Sequence, residues 1–76
     1  MIAENVKALL TDAFPSAEIQ VAGEGAKFDI SIVSEDFSGK RAVPRQQMVY
    51  AVLNDHIASG EIHAVTMSLK TAAELA

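Results

Sequence analysis

The spacing of apolar residues switches period repeatedly along this 76-residue chain, and that alternation limits the possible folds more than any single residue does. Ile2, Val6, Leu9, Leu10 and Ala13 recur at i, i+4, i+7, i+8 and i+11, which is one face of a helix, while Glu4, Asn5, Lys7 and Asp12 turn to water. Pro15 disfavours the helical conformation at Phe14, so this helix ends near residue 13 or 14. From Ala17 to Val21 and from Phe28 to Ile32 the period drops to two, around the turn Gly23-Glu24-Gly25. That pattern predicts a β-hairpin with Ile19, Val21, Phe28, Ile30 and Ile32 on one dry face, which the first helix can cover.

Ser34 to Val43 reads as a loop in which Ser34-Glu35-Asp36-Phe37 can form a single capped turn. Pro44 suits the first turn of a second helix, where its missing N–H costs nothing. Met48, Val49, Val52, Leu53, His56 and Ile57 then form a broad stripe, and Gly60 stands where that helix should stop. Ile62 to Leu69 predicts a third strand. In it His63, Val65, Met67 and Leu69 make the bulkier, core-facing set, while Ile62, Ala64, Thr66 and Ser68 share the other face. Thr71 and Glu74 have the spacing of a capping box for a short terminal helix. The order is α-β-β-α-β-α over residues 1–76, with no linker or repeat, and it implies one α+β domain: a two-layer sandwich with helices on one side of a three-stranded sheet.

Such a short chain buries only about 60% of its unfolded surface, so its core is thin. Half of the residues are hydrophobic, which is a globular composition. There are no cysteines, hence no disulfide staple, no thiolate nucleophile and no means of holding an iron–sulfur cluster unaided. No basic leader with an apolar run follows Met1, and no apolar stretch approaches the roughly 20 residues needed to span a bilayer, so a soluble cytoplasmic protein is expected. The net charge of −4 opposes long-range attraction to nucleic-acid phosphates, and such binding would need a local patch. Lys40, Arg41 and Arg45, half of the six basic residues, form one in the sequence.

Few residues carry chemistry. His63 opens the third strand at a sheet end, where an imidazole is either a metal ligand presented to solvent or a rim or core histidine. His56 lies inside an apolar stripe and reads as structural. No Gly-x-Ser-x-Gly elbow or comparable nucleophile arrangement exists, and Asp29, Glu35, Asp36, Asp55 and Glu61 fall at solvent-facing positions, so no enzymatic activity is expected. Lys40, Arg41 and Arg45 suit a solvated charged loop, or a docking surface for acidic groups or phosphates. Tyr50 falls off the apolar stripe and is expected to be at least partly exposed.

Arg45-Gln46-Gln47-Met48-Val49-Tyr50, then Ile62-His63-Ala64-Val65 and Lys70-Thr71, together with Phe28 after a glycine-rich turn and Phe37-Ser38-Gly39-Lys40, resemble the BolA family, closest its IbaG-like branch. The resemblance covers essentially the whole chain. It implies a fold related to class II KH domains and a heterodimeric partnership with monothiol glutaredoxins in iron–sulfur trafficking or iron regulation. It further implies that His63 ligates a two-iron two-sulfur cluster present only in the complex with glutaredoxin and glutathione, and that Lys40, Arg41, Arg45, Lys70 and Thr71 belong to the partner-binding surface. Where such proteins often carry a second histidine or cysteine ligand, this chain has Lys27, leaving Glu24 as the weak candidate in the hairpin loop. The alternative function is a nucleic-acid-binding stress-response regulator, although the Gly-x-x-Gly loop with which KH domains clamp phosphates is missing between the helices.

Overall fold

The computed structural model describes residues 1–75. Its elements are α1 (Ala3–Ala13), β1 (Glu18–Glu24), β2 (Lys27–Val33), a 3-10 turn (Glu35–Phe37), α2 (Ala42–Ala58), β3 (Ala64–Lys70) and α3 (Ala72–Leu75). The strands form one mixed sheet in the order β1-β2-β3, antiparallel across β1 and β2 and parallel across β2 and β3. A parallel neighbour cannot be reached through a tight turn, so α2 is the crossover that carries the chain from the end of β2 back to the start of β3.

Register explains the core. Ile19, Ile32 and Leu69 lie in one row across the sheet, Val21, Ile30 and Met67 in the next, and Gly23, Phe28 and Val65 in the third. The apolar side chains of these rows face Val6 and Leu10 of α1 and Val49 and Leu53 of α2 and belong with them to one apolar cluster. The opposite sheet face carries Gln20, Asp29, Ser31, Thr66 and Ser68, none of them buried. No described helix is long and apolar enough to cross a membrane.

Several expectations shift by a residue or two. Ile2 is the 60% exposed N-cap of α1, and Ala13 is exposed; Phe14 takes the inward position instead, against Phe37 at 5.9 Å between ring centres. The hairpin turn is Gly25-Ala26, not Gly23-Glu24-Gly25, because Glu24 pairs with Lys27 across it. Gly25 has φ 64° while no non-glycine residue has positive φ, the sign pattern of a II′ turn with glycine at its first corner. The predicted turn at Ser34 is present: the Asp36 N–H donates to Ser34 Oγ at 3.1 Å. Helix α2 buries Val49 and Leu53 of the predicted stripe and half-buries Met48, Val52, His56 and Ile57, and Tyr50 is 39% exposed.

The third strand begins at Ala64 rather than Ile62, and this reverses the two residues before it. Ile62 is 1% exposed and packs in the core, whereas His63 is exposed. The predicted core-facing set survives only as Val65, Met67 and Leu69. Alternation holds only where the sheet ladder fixes the pleat, and residues 62 and 63 precede it.

Candidate functional site

The chain leaves α2 through Ser59 and Gly60 and turns sharply towards the sheet. Burial of Ile62 and the bond from its N–H to His56 O at 3.1 Å fix the turn. Ala26 O, at the hairpin tip, accepts both the His63 N–H at 2.7 Å and the Ala64 N–H at 3.1 Å. The backbone of His63 is thereby clamped between a buried neighbour and the β1–β2 turn while its side chain points outward. Among the described residues the His63 ring has no hydrogen-bond partner. Its Nε2 lies on the Gly60 side, 4.0 Å from where a Cβ on that glycine would stand.

Lys27 is paired with Ala64 in the parallel register, one position beyond Ala26, which touches His63 directly. Glu24 pairs with Lys27 and stands one strand further out. A lysine ammonium has no lone pair for a metal. Among the described residues no group of three His, Cys, Asp or Glu side chains converges in a metal-binding arrangement.

His56 is differently placed. Its Nδ1 lies 3.1 Å from Glu61 Oε1, and the Ser59 hydroxyl is 3.0 Å from the same oxygen. The imidazole hydrogen bond, reinforced by the Ser59 hydroxyl, holds the Glu61 carboxyl below its usual range. The pair closes the C-terminal turn of α2, in keeping with a structural role.

At the other end of β3 the basic patch divides. Arg45 is not a solvated loop residue: it lies in the first turns of α2 and is only 9% exposed. Its Nε donates to Lys40 O at 2.8 Å, its Nη1 to Leu69 O at 3.0 Å, and both Nη groups to the Glu74 carboxylate. The guanidinium also sits 5.8 Å from the Phe37 ring centre. Thr71 is buried as well, its N–H bonded to Glu74 Oε1 at 2.7 Å in the predicted capping box. Arg45 and Thr71 thus serve internal contacts. Lys40, Arg41 and Lys70 are exposed.

A family model described as BolA-like protein matches residues 11–74. The chain is 54% identical over 74 residues to a protein of Acinetobacter guillouiae encoded between rpoN and murA, covering 97% of this chain and 89% of that one. It is 38% identical over 71 residues to the acid stress protein IbaG of Escherichia coli (strain K12), covering 93% and 84%. Among solved structures, the BolA domain of SufE1 from Arabidopsis thaliana superposes with a TM-score of 0.83 at 31% identity, covering 95% of this chain and 93% of that one. Yeast Fra2 gives 0.80 at 27% identity, covering 100% and 85%.

Proposed function

Since the chain belongs to the BolA-like protein family and falls in its IbaG-like branch, we propose that it partners a monothiol glutaredoxin and lends the His63 imidazole to a shared two-iron two-sulfur cluster. The observation that carries this reading is the presentation of His63: an exposed ring that makes no hydrogen bond among the described residues, on a backbone clamped to Ala26 O. The cluster is cargo, and the glutaredoxin cysteine and glutathione supply the thiolates that a chain without cysteine lacks. A neutral nitrogen ligand in place of a thiolate makes the site less negative and raises its reduction potential, as in Rieske centres. What this chain itself contributes is a fixed, accessible imidazole; Glu24 is set back by one strand and Lys27 offers no donor electrons.

The test is a titration of cluster-loaded monothiol glutaredoxin, with glutathione present, by wild type and by His63→Ala. Visible absorption and circular dichroism report ligation, and size-exclusion chromatography reports complex formation. We expect a spectral change with wild type that His63→Ala does not produce. Identical spectra for the two proteins would overturn ligation by His63, and a complex that forms without any spectral change would reduce the chain to an adaptor.

A further inference from the structure

Four of the six basic residues of this acidic chain line one groove of about 460 Å³ between the N-terminal end of α2 and the C-terminal end of β3: Lys40, Arg41, Arg45 and Lys70. Arg45 is neutralised within the fold by Glu74, which forms part of the wall. The other three are exposed, and among the described residues none of them forms a salt bridge. Lys40 Nζ donates to the Asp36 carbonyl at 3.0 Å, which anchors it at the groove without cancelling its charge. Met67 and Leu69 add an apolar floor.

We propose that this groove docks an acidic peptide segment of a partner protein, at a site separate from His63. Six residues of β3, from Ala64 to Leu69, lie between His63 and Lys70, roughly 20 Å of extended chain, so the cationic end of the groove stands apart from the imidazole. Charge complementarity selects the occupant. Arg41 offers the planar fork that matches a carboxylate, and the flanking ammonium groups of Lys40 and Lys70 serve as adjustable point charges.

A single-stranded nucleic acid fits less well. Its affinity draws heavily on stacking of bases on aromatic side chains, and no aromatic residue lines the groove; Phe14, Phe28 and Phe37 are buried. The net charge of −4 repels a long polyanion, whereas a short run of carboxylates meets only the local cations.

The experiment uses fluorescein-labelled octaglutamate, read by fluorescence anisotropy, and the amide spectrum of 15N-labelled protein titrated with the same unlabelled peptide. We expect binding that weakens with salt, with the largest amide shifts at residues 40–42 and 68–70. Arg41→Glu/Lys70→Glu should lose about tenfold or more in affinity, while Lys7→Glu/Lys27→Glu, with the same change of net charge, should lose far less. His63→Ala should bind as wild type does. Failure of the peptide to bind, equal losses in the two double variants, or amide shifts scattered over the surface would overturn the proposal. So would tighter binding of an eight-nucleotide oligothymidine that the Arg41/Lys70 variant abolishes, which would assign the groove to nucleic acid. The mapping uses wild-type protein, so it holds even where a variant folds poorly.

Discussion

Arg45 grips Glu74 by two parallel hydrogen bonds, Nη1 to Oε1 at 2.6 Å and Nη2 to Oε2 at 3.0 Å, across 29 positions of sequence. The same guanidinium bonds the carbonyls of Lys40 and Leu69, so one side chain ties α2, the preceding loop, the end of β3 and α3 together. Glu35 adds a further tie by accepting the Ala72 N–H at 3.2 Å. The C-terminal segment is held by named polar contacts rather than by core packing, since α3 buries no residue.

Replacing the fork by a point charge should therefore loosen that end. Arg45→Lys keeps the charge but cannot span both carboxylate oxygens and two carbonyls, so its Tm should fall below that of wild type, and Arg45→Ala should fall further. Glu74→Gln, which retains an acceptor for the Thr71 N–H, should lie between wild type and Arg45→Lys. Thermal unfolding followed by circular dichroism checks the order; an Arg45→Lys Tm equal to wild type would contradict it.

Acid should weaken the same contact. Hydrogen bonding from Arg45, followed by the Thr71 N–H, lowers the Glu74 carboxyl from its ordinary value of 4.5 to about 2. A carboxyl with a lower pKa folded than unfolded adds stability that is complete above about 4.5 and lost as pH falls towards 2. Glu61, lowered by His56, contributes in the same direction. Urea unfolding across pH 2 to 6 should give a shallower decline for Glu74→Gln than for wild type.

Gly23→Ala should destabilise although the residue is exposed. Gly23 has φ 139°, and a Cβ there would stand 2.1 Å from the Lys27 carbonyl oxygen, an impossible approach to backbone. Distorting the hairpin to admit the methyl should cost about 1–3 kcal/mol. Gly25→Ala meets no such atom and acts only through its φ of 64°. Denaturant midpoints of the two variants should rank Gly23→Ala as the less stable.

Ile62 and His63 provide a paired test of the chain's approach to β3. Ile62→Ala removes a fully packed side chain and should cost about 2–5 kcal/mol. His63→Ala removes an exposed one and should stay within about 0.5 kcal/mol of wild type. The reverse ranking would place the imidazole inside.

The element order is legible because a turn or breaker stands between successive elements, at Pro15, Gly25, Gly39 and Gly60. The local caps at Ser34 and Thr71 were equally readable, since their partners lie within three residues. The place of Arg45 is not legible, because its partner Glu74 is remote in sequence and charge alone points it to water. A positional signal existed: Arg45 precedes Val49 by four residues and Leu53 by eight, on the stripe that α2 buries. The sequence leaves His63 open between solvent and core for a different reason, because the alternating pattern continues past the point where β3 stops imposing it.

The outward turn of His63 has a mechanical consequence. With Ile62 embedded and the His63 amide tethered to the hairpin, the ring retains only its two side-chain torsions and swings as a short lever on a fixed pivot. An ion or protein arriving there would find the backbone already held, leaving only those two torsions to immobilise.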